Sequence, residues 1–218
     1  MAGRHYPDCV GREGRARLRP LDDVLSLPRK SPLSGELARA LAAASSLHGL
    51  RSNLENVPVR PTATTSEAGA YRFRKTEPID IRVSAVSGRV AIGFLHELGH
   101  LVDHQVHFDP ESRVWASAVH PAFAGWRAVA ATAGARPFPG GRARRRYFES
   151  AHEMWARSYA QTALLRSGQP LLLAQLETLQ RADDPYVWPA KTFEPLAREV
   201  ELVFERLGLT QLALPLAA

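Results

Sequence analysis

The feature that most constrains this chain is a His-Glu-x-x-His motif at residues 96 to 100, inside the apolar stretch AIGFLHELGHLVDH. Side chains four positions apart share one face of a helix, so the imidazoles of His96 and His100 can converge on one ion. Glu97 then lies beside any water that the ion holds. A bound metal lowers the pKa of that water, and a nearby carboxylate can take its proton. The motif therefore predicts metal binding and metal-assisted hydrolysis, with Glu97 as the general base.

The residues around the motif argue against a chance match. Apolar side chains flank the two histidines on nearly every side of the expected helix: Ile92, Phe94, Leu95, Leu98, Leu101 and Val102. This pattern indicates a helix that is buried on most of its circumference. Burying two imidazoles and a carboxylate is costly unless they are paired or bind something. Gly99 lowers helix propensity, so we expect it to mark the close approach of another element.

Composition places the chain among ordinary globular proteins. Its 218 residues are 45% apolar and 23% charged, and no apolar run is long enough to cross a bilayer. The N-terminus carries charges where a signal peptide has its apolar stretch, so we expect a cytoplasmic protein without membrane contact. The single cysteine, Cys9, excludes an internal disulfide bond.

The net charge is +6, and arginine supplies nearly all of the positive residues. A basic protein can bind nucleic acid through its phosphates. Two clusters are candidates: Arg12, Arg15, Arg17 and Arg19 near the N-terminus, and Arg142, Arg144, Arg145 and Arg146 in an expected loop. Neither has interleaved aromatic residues or a recognisable nucleic-acid-binding motif. We favour a solvated surface, with weak nucleic-acid contact through the arm or the loop as the alternative.

The order of predicted elements indicates one α+β domain, mainly helical, after a basic arm. Residues 1–32 are rich in proline and lack periodicity, which predicts a flexible or loosely draped arm, and residues 33–218 form the domain. Short alternating segments between residues 57 and 84 predict a small mixed or antiparallel sheet that precedes the motif helix. Helices are expected at Gly35 to His48 (capped by Ser34), Arg89 to His107, Pro121 to Gly134, Tyr147 to Arg166, Pro170 to Arg181 and Thr192 to Leu207. A loop at residues 136–146 is expected to be a lid or a surface excursion.

The motif helix itself offers few further ligands. A metzincin would add a histidine six residues after His100, but Val106 occupies that position. His104 lies one more turn along the helix, so reaching the same ion would require the helix to unwind. Asp103, three residues beyond His100, is a candidate to accept an N–H from a ligand histidine and fix its tautomer. We expect Asp103 and His104 to support the site from outside the ligand set.

The third ligand is then best sought as a carboxylate on another helix. Glu149 and Glu153 both qualify, since they are four positions apart on one face. Two exposed glutamates that pair with nearby arginines are the alternative, and the aromatic neighbours of both residues argue against it. Periodicity does not separate the two glutamates.

Two segments together resemble a known family. HELGHLVDH is followed some fifty residues later by Tyr147, five intervening residues and EMWARSYA, which begins at Glu153. This pair resembles the gluzincin-type metallopeptidase domains of phage-derived large polyvalent proteins, whose second motif is close to EMFARAF. It is more distantly similar to the catalytic domain of anthrax lethal factor and its toxin relatives. The resemblance covers about residues 79 to 165.

The resemblance implies a zincin-like domain that binds zinc and hydrolyses peptide bonds. It implies His96, His100 and Glu153 as ligands, Glu97 as general base and Tyr147 as oxyanion donor. A Glu153 oxygen is then expected at the zinc or pointing at the two histidines. Glu149 is expected to lie outside the ligand set or to face solvent.

The chain also departs from these relatives. Trp155 and Tyr159 stand where phenylalanines are usual, and Arg157 replaces an acidic residue of the toxin relatives. A peptide or protein substrate is expected to add as a strand along the sheet edge, with Ile79 to Ser84 as the candidate edge. Two other functions stay open: a metal-binding interaction or nucleic-acid-associated module on the same fold, and a narrow-specificity toxin, effector or self-processing protease.

Overall fold

Eight α-helices and eight short strands make up the part of the chain that the computed structural model describes, residues 17–51, 54, 56–133 and 140–210. The strands are β1 Leu18–Arg19, β2 Leu25–Ser26, β3 Leu50–Arg51, β4 Val57–Thr62, β5 Gly69–Arg74, β6 Glu77–Ser84, β7 Phe108–Asp109 and β8 Val114–Trp115. The helices are α1 Ser34–Leu47, α2 Val90–Val106, α3 Ala116–Val119, α4 Ala124–Thr132, α5 Arg142–Phe148, α6 Ala151–Arg166, α7 Pro170–Arg181 and α8 Ala190–Leu207. The predicted α+β, mainly helical fold class is confirmed. Within the described residues, no helix combines the length and apolar character needed to cross a membrane.

A mixed sheet of four strands, in the order β2-β4-β6-β5, precedes α2 as predicted. Strand β4 is parallel to β2 and β6, whereas β5 is antiparallel to β6. The expected substrate edge at Ile79 to Ser84 is wrong, because β6 is hydrogen-bonded to a strand on each side. Its residues Ile81 and Val83 are fully buried, as expected for an interior strand. Among the described strands, the unpaired edge near the motif helix belongs to β5.

Helix α2 lies between the sheet and the other helices. It contacts β5 and β6 on one side and α1 and α6 on the other. Every residue from Val90 to His104 is consequently buried, as the apolar residues around the motif predicted. Helix α6 in turn contacts α1, α7 and α8, so the central layer of the helical part is the α2–α6 pair.

The described part of the N-terminal arm is packed against the domain. Leu18 pairs with Arg51 across β1 and β3, and Leu21 and Val24 are fully buried. The prediction of a loosely draped arm is therefore wrong for residues 17–32, because their apolar side chains enter the core. Residues 1–16, with Cys9, lie outside the described residues, and the domain boundary at residue 32 stays a prediction.

Three local predictions differ from the structure. The Ser34 hydroxyl does not cap α1; it donates to the carbonyl of Ser31 at 2.7 Å. The arginine-rich part of the expected loop is helix α5, since arginine is a good helix former, and residues 134–139 lie outside the described residues. The helix expected from Tyr147 to Arg166 is two helices. The hydroxyl of Ser150 donates to the carbonyl of Tyr147 at 2.6 Å, which satisfies an acceptor where α5 ends.

Candidate metal centre

The two motif histidines lie one turn apart on α2 and line the same cavity. His96, Glu97 and His100 are each only 7% exposed. The rings of His96 and His100 stand edge to face with centroids 4.8 Å apart. Both imidazoles and the carboxylate of Glu97 therefore reach the cavity while the helix around them stays buried.

A close contact between α2 and α6 brings a third side chain to the histidines. A Cβ atom at Gly99 would lie 3.0 Å from the Cα atom of Ala156 and 3.1 Å from the ring of Tyr159. The indole of Trp155 donates to the carbonyl of Gly99 at 3.1 Å. The expectation that Gly99 marks the close approach of another element is confirmed. This approach carries Glu153, one turn earlier on α6, to the motif histidines.

Glu153 faces both histidines at once. Its Oε2 lies 3.3 Å from Nε2 of His96, and its Oε1 lies 3.4 Å from Nε2 of His100. One ligand atom from each of the three side chains lies within 4.8 Å of the other two. In a tetrahedral site with bonds of about 2.0–2.1 Å, neighbouring ligand atoms are about 3.3–3.4 Å apart. The three side chains can therefore hold a metal ion, and each of the two short separations involves a different oxygen of the Glu153 carboxylate.

The electrostatics of Glu153 also suit a ligand. Burial opposes ionisation of this carboxyl, which is 2% exposed, but the two histidines outweigh it and hold its pKa well below the usual range. The carboxylate is therefore ionised at a depth where a lone charge would be unfavourable. The two imidazoles, or a metal ion bound to them, would compensate the negative charge of this carboxylate.

Asp103 does not orient the ligand histidines as expected. Its carboxylate accepts from the backbone N–H and from the hydroxyl of Ser117, both at 2.6 Å. In residues 17–51, 54, 56–133 and 140–210, the Nδ1 atoms of His96 and His100 have no hydrogen-bond partner, although metal-bound histidines usually donate from the second nitrogen. Asp103 fastens the start of α3 to α2 instead, and burial raises its pKa to about 7. Among the described residues, packing around α2 and the contacts of Glu153 with the Nε2 atoms hold the two rings, and no carboxylate contacts their Nδ1 atoms.

His104 is likewise engaged away from the three ligands. Its Nε2 lies 3.1 Å from the carbonyl of Lys75 and donates to it, so its Nδ1 accepts from the hydroxyl of Tyr71 at 2.9 Å. Burial lowers the pKa of His104, which favours this neutral form. Its contacts tie β5 to α2, and the expectation that His104 supports the site from outside the ligand set stays a prediction.

Strand β5 positions the carboxylate of Glu97. The backbone N–H of Tyr71 donates to Oε2 of Glu97 at 2.7 Å, and burial raises the pKa of Glu97 to about 7. A Cβ atom at Gly69 would lie 2.7 Å from Cγ of Glu97 and 2.9 Å from the carbonyl of Arg82. Only a glycine leaves this space. One oxygen of Glu97 is thus held by the sheet edge, and the other is available to the cavity.

The break between α5 and α6 separates the two glutamates that periodicity left equivalent. Glu149 ends α5 and is exposed, whereas Glu153 lies in the first turn of α6 and is buried. Tyr147 is 53% exposed, yet it lines the cavity. Burial of its hydroxyl and the nearby Glu153 carboxylate raise the pKa of Tyr147, so the hydroxyl stays a donor. Tyr147 and Glu153 therefore meet in one cavity although they belong to different helices.

The cavity at these residues has a volume of about 530 Å³. The lining residues that sequence analysis did not identify include Trp115, His152 and Tyr186. The ring of His152 stacks on Trp115 with centroids 5.2 Å apart and an interplanar angle of 12°, and Arg89 lies over the ring of Tyr186 at 5.1 Å. Burial, with a smaller contribution from the charge of His100, lowers the pKa of His152 to about 4. Their sequence signal was weak, because an isolated aromatic residue is more often part of a core.

No family model, curated protein or solved structure matches this chain. Any function assigned to the site must therefore be argued from its residues and their arrangement.

Proposed function

We propose that the protein is a zinc-dependent metallopeptidase of the gluzincin type, in which His96, His100 and Glu153 hold the ion and Glu97 is the general base. One observation carries the proposal: two imidazoles and a buried carboxylate converge, and a second carboxylate lies beside them in a cavity. A purely structural zinc has four protein ligands in a closed site. Three ligands in an open cavity are the arrangement of a catalytic site, which argues against the alternative of a metal-binding interaction module.

The donor set supports zinc in particular. Two imidazole nitrogens and one carboxylate oxygen are typical of catalytic zinc sites, where the remaining position is kept for water or substrate. The likeness of HELGHLVDH and EMWARSYA to gluzincin motifs points to the same metal and the same chemistry.

The residues around the ligands suit peptide hydrolysis. Zinc bound by these three side chains would polarise the scissile carbonyl and lower the pKa of a water molecule. Glu97 would take the proton of the attacking water on the oxygen that Tyr71 leaves free, and would deliver it to the leaving amine. Tyr147 would donate a hydrogen bond to the developing oxyanion, since its hydroxyl is beside Glu153 and remains protonated.

The free edge of β5 is the proposed docking line for the substrate backbone. Strand β5 is the last strand of the sheet, and its N-terminal residues Gly69, Ala70 and Tyr71 line the cavity. A peptide bound as an added strand along this edge would pass the carboxylate of Glu97, because Tyr71 is hydrogen-bonded to it. The scissile bond would then lie over the three ligands.

The test combines metal analysis with an unbiased cleavage assay. Zinc-loaded full-length protein is incubated with a mixed peptide library, and the products are identified by mass spectrometry. Glu97→Gln is expected to keep about one zinc per chain and to lose about 10²- to 10⁴-fold in rate, because it removes a base and not a ligand. His96→Ala should lose both the metal and the activity.

Glu149→Gln is the matched control, since it changes the neighbouring exposed glutamate. It should retain both zinc and cleavage. A zinc-loaded wild-type protein that cleaves no peptide, or a Glu97→Gln variant as active as the wild type, would contradict the proposed function.

A further inference from the structure

Three aromatic rings in mutual contact form one wall of a compartment of the cavity next to His100. The ring centroids of Phe108 and Trp115 are 5.1 Å apart, those of Phe73 and Phe108 5.1 Å, and those of Phe73 and Trp115 5.5 Å. All three residues are partly exposed and line the cavity. Trp115 lies 5.7 Å from His100 between ring centroids. A large apolar side chain could therefore be buried within one residue's length of the metal ligands.

The compartment is held in place before any ligand arrives. Trp115 directly precedes α3, whose residue Ser117 is fastened to α2 by both oxygens of Asp103. On its other side Trp115 is stacked against His152. A preorganised aromatic wall binds an apolar group without the entropy cost of ordering itself.

The rim of the same side of the cavity is positively charged. Arg113, two residues before Trp115, is exposed and lines the cavity. Helix α5 contributes Tyr147 and Phe148 to the cavity lining and carries four exposed arginines, Arg142, Arg144, Arg145 and Arg146. Of these, Arg144 lies over the ring of Phe148 at 5.7 Å. None of these five arginines forms an ion pair within the described part of the chain. Clefts rimmed by one sign of charge concentrate ligands of the opposite sign.

The opposite end of the cavity differs in charge. There the lining residues are Glu67, Ala68 and Gly69, from the segment before β5 and its first residue, together with Gly93 of α2. Glu67 is exposed, and it contributes to raising the pKa of Glu97. A ligand that spans the cavity therefore meets the carboxylate of Glu67 near the start of β5 and the guanidinium of Arg113 beside the aromatic rings.

We propose that the cavity selects a peptide segment with a large apolar side chain flanked by acidic residues. The apolar side chain occupies the compartment of Phe73, Phe108 and Trp115. The acidic residues lie against Arg113 and α5. This inference rests on the proposed function, because it takes a peptide as the ligand, and it adds the substrate class.

Binding to an inactive full-length variant tests the inference without requiring turnover. Zinc-loaded Glu97→Gln protein is titrated into a fluorescent peptide with a central phenylalanine between glutamates, and the anisotropy is measured. Replacing the phenylalanine by alanine should weaken binding by about tenfold to a hundredfold, because the buried ring is lost. Replacing the glutamates by lysines should weaken it by about tenfold, and high salt should reduce that difference.

Charge reversal at the rim provides the decisive variants. Arg113→Glu combined with Arg144→Glu should remove the preference for glutamates over lysines, whereas Arg29→Glu should leave it unchanged. Arg29 is an exposed arginine that does not line the cavity. Trp115→Phe should reduce the preference for phenylalanine over alanine, and circular dichroism checks that each variant is folded.

The outcomes separate this inference from the proposed function. Failure to bind any of the peptides, or equal binding of the glutamate and lysine peptides, would overturn the inference. The inference would also be overturned if an oligonucleotide displaced the peptide and the protein bound the phenylalanine and alanine peptides equally well. The arginines would then bind nucleic acid. Selective binding by Glu97→Gln with no hydrolysis by the wild type would leave the inference standing and overturn the proposed function.

Discussion

The buried site around His48 differs from the candidate metal centre around His96 and His100. His48 is fully buried, and both of its ring nitrogens are used: Nδ1 donates to the carbonyl of Gly49 at 2.8 Å, and Nε2 accepts from the hydroxyl of Tyr159 at 2.8 Å. At the candidate metal centre, the Nε2 atoms of His96 and His100 face Glu153 at 3.3 and 3.4 Å. Their Nδ1 atoms have no partner within the described residues.

The difference separates a histidine whose two ring nitrogens are both hydrogen-bonded within the core from two histidines of a group that could hold a metal ion. The contacts of His48 have the length of ordinary hydrogen bonds, and its ring is stacked on Phe204 with centroids 4.1 Å apart, so nothing further is needed. The contacts of Glu153 with His96 and His100 are longer, and these three side chains could hold a metal ion. Both groups depend on α6, which carries Glu153 in its first turn and Tyr159 six residues later. The predictions below test this contrast.

Metal should produce the largest difference. At free zinc about 1,000-fold above its dissociation constant, the wild-type protein and His48→Gln should both gain about 4 kcal/mol in free energy of unfolding. His96→Ala should gain almost nothing, because it has lost a ligand. Urea unfolding with added zinc and with chelator measures the gain. An equal gain in His96→Ala would show that zinc binds elsewhere.

Acid should affect the His48 group next most strongly. Burial lowers the pKa of His48 to about 4 from 6.5, so the unfolded chain takes up this proton first as the pH falls. The stability contributed by neutral His48 is therefore complete above about pH 6.5 and is lost as the pH falls toward about 4, by up to about 3 kcal/mol.

Urea unfolding in chelator across this pH range measures the loss apart from any metal effect. His48→Gln should remove this part of the pH dependence, since glutamine does not titrate. An unchanged pH dependence in His48→Gln would assign the acid sensitivity to other groups.

Gly99→Ala should disturb both groups through the α2–α6 contact. Its Cβ atom would lie 3.0 Å from the backbone of Ala156, so the helices must separate, at a cost of about 1–3 kcal/mol. Zinc affinity should fall as well, because Glu153 moves away from α2.

Gly35→Ala is the matched control for Gly99→Ala. Gly35 is also helical, and its nearest neighbour for a Cβ is a side-chain nitrogen of Arg39 at 3.6 Å. This variant should be neutral or slightly stabilising, since alanine favours helix. The stability of both variants is measured by urea unfolding, and their zinc affinity by titration. Unaltered zinc affinity in Gly99→Ala would mean that the position of Glu153 does not depend on the α2–α6 contact at Gly99.

Ser117→Ala should have the smallest effect. It removes one hydrogen bond to Asp103 and should cost about 1 kcal/mol with no change in zinc content, because Asp103 anchors α3 and does not touch the ligand histidines. Urea unfolding measures the expected loss of stability, and metal analysis measures the zinc content. Loss of zinc without loss of stability would return Asp103 to the role that the sequence suggested.

Patterns within a single element predicted their part of the fold well. The apolar residues around the motif predicted a buried helix, and α2 is buried from Val90 to His104. Periodicity with a proline at the first turn predicted Pro170 to Arg181, which is α7. The prediction of one helix from Tyr147 to Arg166 was wrong, because periodicity does not register the break at Glu149 and Ser150, where the Ser150 hydroxyl bonds to the carbonyl of Tyr147.

Predictions across elements were less secure. Asp103 was predicted to accept a hydrogen bond from a motif histidine because of its position on the helix. Its carboxylate instead accepts from two donors of Ser117 at the start of α3. The strand at Ile79 to Ser84 was chosen as an edge by its alternation, yet an interior strand shows apolar side chains as well. Nothing local indicated that Trp115 and His152 would stack.

By itself, the sequence determined that His96, Glu97 and His100 share a buried helix, because spacing by four and apolar neighbours are properties of one segment. It also limited the third ligand to a short aromatic stretch. Only the tertiary structure decided that Glu153, and not Glu149, meets the histidines, that β5 is the free edge, and that the aromatic compartment forms. These outcomes depend on how closely separate elements approach, and that distance is set by contacts such as Gly99 against Ala156, which no single segment encodes.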